Sequence, residues 1–278
     1  MEYFTSKKIS ANIIRIRDIC GVYQYLVIGD KKACLIDTGD GFGNLREYVD
    51  KLTDKDYFVV LTHGHIDHAS GAGLFEDKDI YMNLADTDVL KVHTSIELRK
   101  EMAKRMGESA GIPVQEYNPP LNRKLLPLFD KQEFDLGNLT VQAIHAPGHT
   151  QGMTMILIKE ERTILFGDGC GVSVLLLDEF ASSVSDYLNT LLNLKIYEDQ
   201  YDKIIRNHGT GESPKELLDN VVECCRCVLN GTDDKQPAKN NIPMPCDNAF
   251  FAKTLKKDSI KRVDGKEGNL VYRSDKIK

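Results

Sequence analysis

The sequence predicts an α+β fold, on three observations. Short apolar, β-branched runs recur along the chain, amphipathic helical stretches separate some of them, and run after run ends in a polar loop carrying glycine. Ile13-Ile14-Arg15-Ile16 and Val22-Tyr23-Gln24-Tyr25-Leu26-Val27-Ile28 read as paired strands, with Asp18 and Gly21 as turn residues between them. Lys32-Ala33-Cys34-Leu35-Ile36 is a third strand and runs into Asp37-Thr38-Gly39-Asp40-Gly41. A helix over 44–52 follows, with Leu45, Val49 and Leu52 on one stripe. Tyr57-Phe58-Val59-Val60-Leu61 is then a buried strand.

That strand delivers Thr62-His63-Gly64-His65-Ile66-Asp67-His68. Neutral imidazole and carboxylate are suited to borderline divalent metals such as zinc. In an extended segment His63 and His65 point to the same side and can grip one ion, while Asp67 and His68 follow the turn and can hold a second. The competing reading is a polar turn with chance histidines. Only seven histidines occur in 278 residues, so finding three between positions 63 and 68 is hard to reach by accident.

Further along, 69–73 is small enough for close packing and opens a short helix, and 79–82 is another strand. Asp86 to Met106 is charged and helical, with His93 expected in solvent. Gly107 to Asp130 carries Pro113, Pro119, Pro120 and Pro127 and reads as irregular, so 84–130 is expected to be an insertion, either a lid or an inert excursion. Strands resume at 139–144, leading to Ala146-Pro147-Gly148-His149-Thr150, and then at 153–158 and 163–166, the last ending at Gly167-Asp168-Gly169. A helix covers 185–197, and Ile204-Ile205 delivers Asn207-His208-Gly209. Ser213 is expected to cap the next helix, with Pro214 first in it and Glu216 at N3, and Gly231 to stop it. The polar, proline-bearing 233–245 reads as a linker.

Composition narrows the function classes. With 41% hydrophobic and 28% charged residues the chain is an ordinary globular protein, and its net charge of −6 disfavours nucleic acid as a partner. Nothing resembling an export signal or a membrane span is apparent, since the greasiest run, 172–177, is far too short, so the expectation is a cytoplasmic protein. Seven cysteines, an odd number, point to reduced thiols, and Cys224, Cys225 and Cys227 read as small core or surface residues. Cys170 is expected to be a packed thiol, and His145 structural or supportive.

Four separate strand-to-loop junctions therefore carry His63, His65, Asp67 and His68, then His149, then Asp168, then His208, each beside a glycine. In type and order these motifs, together with Asp37-Thr38-Gly39, resemble the metallo-β-lactamase superfamily over residues 12 to 230 or so. The resemblance implies a four-layer αββα sandwich of two mixed sheets flanked by helices, with 1–232 as the catalytic domain; 233–278, which it does not cover, is expected to be a linker and C-terminal extension packed on or near that domain. It implies one ion held by His63, His65 and His149, another by Asp67, His68 and His208, with Asp168 bridging and Asp37 orienting a ligand. A bridging aspartate makes the chain similar to glyoxalase-II-like (hydroxyacylglutathione) hydrolases, whose basic glutathione-binding residues are not recognisable here.

The implied chemistry is hydrolysis. Two divalent ions sharing a water lower its pKa from about 15.7 toward neutrality, and one of them polarises the scissile carbonyl or phosphoryl oxygen. Asp67 can aim the resulting hydroxide. The expectation is a metal-dependent hydrolase of a small ester-like bond, a thioester first, with a phosphodiesterase or lactonase as the alternative. A di-iron redox protein is disfavoured because His65 stands where those relatives carry glutamate. Zinc is the favoured metal, with iron and manganese also compatible with the ligands. The partner is a small-molecule substrate; oligomeric state is not fixed, a homodimer being one option, and substrate-contacting residues are not identified.

Overall fold

A computed structural model gives the structure of the chain and describes residues 2–110, 117–238 and 246–278, apart from the side chains of 103 and 105–110. The first half is a meander that turns parallel. Strands β1 (Phe4–Lys8), β2 (Ile13–Asp18), β3 (Tyr23–Ile28) and β4 (Ala33–Ile36) are successive antiparallel neighbours. Helix α1 (Leu45–Asp50) then carries the chain back so that β5 (Tyr57–Val60) lies parallel to β4. The side chain of Asn44 caps α1 by accepting from the Glu47 N–H at 3.0 Å.

After α2 (Ile66–Ala69), strand β6 (Ile80–Met82) joins β5, helices α3 (Thr87–His93) and α4 (Ile96–Ala110) follow, and β7 (Leu126–Pro127) completes a seven-stranded sheet. The second sheet takes β8 (Glu133–Asp135), β9 (Thr140–His145), β10 (Thr154–Ile158) and β11 (Thr163–Leu165). Strand β12 (Val174–Leu176) leaves it, helix α5 (Val184–Leu194) crosses over, and β13 (Lys203–Ile205) returns parallel to β11, with β14 (Glu212–Ser213) at the edge. Helix α6 (Leu217–Asn230) ends at Gly231 in the left-handed conformation, φ +68°.

Side-chain alternation along the strands builds three layers of core between these elements. Cys34, Ile36, Phe58 and Val60 of the first sheet meet Val141, Ala143, Ile156, Ile158, Leu165 and Ile205 of the second. The odd-numbered neighbours Ala33, Leu35, Tyr57 and Val59 face outward onto Leu45 and Val49 of α1. Met155, Leu157 and Ile164 face the other way, onto Val184, Tyr187 and Leu191 of α5 and Leu217, Leu218 and Val221 of α6. Helix, sheet, sheet, helix is the αββα order expected.

A third, four-stranded sheet lies outside that expectation: β12 pairs in parallel with β17 (Leu270–Arg273), which pairs with β16 (Ala249–Phe251) and then β15 (Gln236–Pro237). Gln236 and Pro237 of the expected linker are thus strand, because their backbone finds β16 as a partner; residues 239–245 lie outside the described residues. Likewise Leu126-Pro127 in the stretch read as irregular is β7, with proline accommodated at the sheet edge, while 111–116 fall outside the described residues. Ser213 does not cap α6. It belongs to β14, and its hydroxyl accepts from Arg206 Nε, so the helix begins four residues later at Leu217.

Parallel pairing brings the loops together. β4 lies parallel to β5, and β11 parallel to β13, with β9 and β11 both antiparallel to β10. The C-terminal ends of these strands therefore share an edge in each sheet, and every sequence-predicted site residue lies at such an end.

Candidate metal centre

His63, His65 and His149 come together from two sheets. Their ligand atoms lie within 4.8 Å of one another, and His65 Nδ1 stands 2.9 Å from His149 Nε2. Asp67, His68, Asp168 and His208 form a second group, their ligand atoms again within 4.8 Å of one another. There His208 Nε2 is 3.2 Å from Asp168 Oδ1, 3.3 Å from Asp67 Oδ2 and 3.3 Å from His68 Nε2. Asp168 faces both groups, its Oδ1 toward His68 and His208 and its Oδ2 3.7 Å from His149 Nε2. The His63 and His68 rings are 4.2 Å apart, so the two clusters are contiguous.

Divalent ions fit this donor set, by the test of what the remaining ring nitrogens do. His63 Nδ1 lies 3.1 Å from the Thr62 hydroxyl, His65 Nε2 3.0 Å from Asp178, His68 Nδ1 2.9 Å from Asp37 and His149 Nδ1 2.7 Å from the Leu175 carbonyl. Each ring is thus held by one nitrogen and presents the other inward, the arrangement metal-bound histidines require. His63 Nε2 is fully buried with no hydrogen-bond partner, which an apolar or empty pocket would leave unsatisfied.

Three carboxylates set up this arrangement from behind. Asp37, wholly buried, accepts from the Thr62 N–H at 2.7 Å and from Asn207 Nδ2 at 2.9 Å as well as binding His68, so it ties three junctions together. Its φ of +63° is a backbone conformation that aspartate tolerates better than most residues. Asp86, also wholly buried, accepts from the N–H groups of Gly64 at 3.0 Å and Gly152 at 2.6 Å and from the Thr150 hydroxyl at 2.7 Å, pinning the His63 and His149 loops to each other. Asp178, in the loop after β12, holds His65. Sequence reasoning missed Asp86 and Asp178. Only Asp178 left a signal, since it follows the apolar run 172–177 as the other site residues follow theirs.

His93 is not in solvent, contrary to the expectation from its charged helix. Its ring stacks on that of His65 at 4.3 Å, and its Nδ1 is buried without a partner. The reason is that α3 packs its last turn over the His63–His68 loop, with Gly64 allowing the approach: a Cβ there would meet the Leu90 backbone nitrogen at 2.7 Å. Burial and the His65 imidazole hold His93 down to about 4, so it is neutral. His145 ends β9 and bonds through Nε2 to the Gln151 carbonyl at 2.8 Å, shaping the His149 loop from outside the centre. Cys170, Cys224 and Cys225 are buried thiols of the helical core, and all seven cysteines are free.

The two clusters differ in charge. Burial, then the neighbouring imidazoles His68, His65 and His149, hold His63 well below the usual range, and burial with His65 lowers His149 as well, so both stay neutral and ready to donate a lone pair. In the second cluster burial also disfavours charge, but the carboxylates outweigh it: Asp67 and Asp168 raise His68 well above the usual range, and Asp168 raises His208 to about 9. The same imidazoles, against burial, hold Asp67 and Asp168 ionised below the carboxylate range. Without ions the second cluster is a set of imidazolium–carboxylate pairs, and an ion entering it must displace protons.

A family model described as metallo-beta-lactamase superfamily matches residues 17–200. A probable polyketide biosynthesis zinc-dependent hydrolase, BaeB, of Bacillus velezensis is 23% identical over 188 residues, 63% of this chain and 69% of that protein. The acyl-coenzyme A thioesterase MBLAC2 of Bos taurus is 25% identical over 202 residues, 66% of this chain and 71% of that one. Among solved structures, a metallo-beta-lactamase family protein from Thermus thermophilus superposes with a TM-score of 0.55 at 19% identity, over 82% of this chain and 80% of the other. Among the described residues no helix is long and apolar enough to cross a membrane.

Proposed function

The chain belongs to the metallo-β-lactamase superfamily, and from that premise we propose that it is a metal-dependent hydrolase of a thioester, working through two divalent ions, zinc by preference. The observation that carries the reading is Asp168, whose two oxygens face the two donor clusters. In this reading His63, His65 and His149 hold one ion, Asp67, His68 and His208 the other, and Asp168 both. A bound pair would supply a water acidic enough to attack at neutral pH and a positive charge for the developing oxyanion.

The chain's own residues do the positioning. Asp67, ionised and with 27% of its side chain exposed, is the carboxylate best placed to accept a hydrogen bond from the attacking water and aim it. Asp37, Asp86 and Asp178 keep the imidazoles in one orientation, so the donors need not reorganise as charge develops. The thioester preference leans on the relative named as an acyl-coenzyme A thioesterase.

Two measurements test this. Metal content of the purified chain should be two ions per chain, falling in Asp168→Ala together with at least 100-fold in turnover; two ions and full rate in the variant would remove Asp168 from its bridging role. A panel of acyl thioesters, lactones and bis-p-nitrophenyl phosphate should show the highest kcat/KM on a thioester. Turnover of the phosphodiester or lactone alone would move the assignment to those activities.

A further inference from the structure

Beside the candidate metal centre lies a set of buried polar groups that the hydrolytic reading does not use. Arg99, in the first turns of α4, is 2% exposed, yet Nε, Nη1 and Nη2 all lack a hydrogen-bond partner among the described residues. The Ser70 hydroxyl, the Tyr117 hydroxyl and Asn118 Nδ2 are buried and equally unpartnered. These four residues gather around the Gly41 loop from three parts of the chain. Arg99 Nη2 and Ser70 Cβ lie 2.8 and 2.9 Å from the point where a Cβ on Gly41 would sit, and the Arg99 guanidinium carbon is 5.6 Å from the Tyr117 ring centroid. Asn118 is fixed to the same loop by its N–H, which donates to the Gly41 carbonyl at 2.8 Å.

Burying a guanidinium with neither anion nor acceptor among the described residues is costly, and contact with one tyrosine ring offsets only part of that cost. All four side chains can donate hydrogen bonds, and a guanidinium fork matches the paired oxygens of carboxylate and phosphate. We propose that Arg99, Ser70, Tyr117 and Asn118 form a binding site for an oxyanion, a carboxylate or a phosphate group. Ser70 follows His68 by one intervening residue on the turn that closes α2, so the site lies alongside the second donor cluster. The anion is either a group carried by the substrate or a free ion. The existence of the site is independent of the hydrolase assignment; only the choice between those two sources rests on it.

The test uses the full chain with its metals in place. Inorganic phosphate and acetate, titrated separately, should raise the melting temperature of the wild type by several degrees. Because phosphate can also meet the metals, the same titration on Arg99→Met isolates the Arg99-dependent part, which should vanish, and Arg99→Lys should restore some of it. Tyr117→Phe, a milder change, should weaken phosphate binding several-fold, so that a misfolded Arg99 variant leaves the proposal testable. A wild type unresponsive to both anions, or a response undiminished in Arg99→Met and Tyr117→Phe, overturns the proposal. Ester substrates then separate the sources. If the ratio of kcat/KM for a carboxylate-bearing thioester over its neutral counterpart falls tenfold or more in Arg99→Met, the substrate supplies the anion. A changed phosphate response with an unchanged ratio assigns the site to a free ion.

Discussion

Asp178 shows how much one carboxylate outside the ligand set can matter. It holds His65 Nε2 at 3.0 Å across 113 residues of sequence and leaves Nδ1 facing His149. Asp178→Ala should lower metal affinity by about 10–100-fold, measured by competition with a chelator, while the circular dichroism spectrum stays native. The second cluster gives a pH prediction. His208 is pulled up to about 9, chiefly by Asp168 against burial, although with 40% of its side chain exposed solvent trims that pull. Its folded value exceeds the ordinary 6.5, so in the metal-free chain the stabilisation is fully present below about 6.5 and is lost as pH rises through about 9. Metal uptake works in the opposite direction, because an ion must expel that proton. Calorimetric titration at pH 7 in buffers of different ionisation enthalpy should therefore show proton release on metal binding, and apparent affinity should rise from pH 6 toward 9. Affinity that fell over that range would mean the imidazolium pairs are absent.

At the scale of elements, the sequence exposed what is local and hid what is not. Strand ends beside glycine could be read because β-branched runs and the residues after them are contiguous, and so His149, Asp168 and His208 could be picked out from their loops as candidates. Asp86 could not be: it is one acid among several in a charged helical stretch, and only the folded chain brings the Gly64, Thr150 and Gly152 donors onto it. His93 was misjudged for the same reason, since a charged sequence around it says nothing about which face meets His65. The parallel pairing of β12 with β17 spans almost a hundred residues and has no local signature. Asp86→Ala should orphan three buried donors at about 1–3 kcal/mol each, partly relieved by water, for a net loss near 3 kcal/mol in denaturant unfolding. Gly148→Ala acts differently: its Cβ would sit 2.3 Å from Tyr187 Cδ2 in the helical core, so the loop must move and His149 with it. The expected result is a several-fold loss of metal affinity together with a lower melting temperature.

For the molecule as a whole, the candidate ligands belong to both sheets, and this has a thermodynamic consequence. His63, His65, Asp67 and His68 hang from the first sheet, and His149, Asp168 and His208 from the second, across a core built from the facing residues of each. An ion bound to both cannot persist if the sheets separate, so its binding free energy adds to the stability of the sandwich. At free metal a thousandfold above its dissociation constant the gain is about 4 kcal/mol per site. For a chain of this size about 1 kcal/mol corresponds to roughly 2–4 °C, so stripping one site should lower the melting temperature by about 8–16 °C. Scanning calorimetry of the zinc-loaded chain with and without chelator checks this, and readdition of zinc should restore the transition. A stability indifferent to the metal would mean that the two halves hold together without it and that the ions, where bound, sit on one sheet alone.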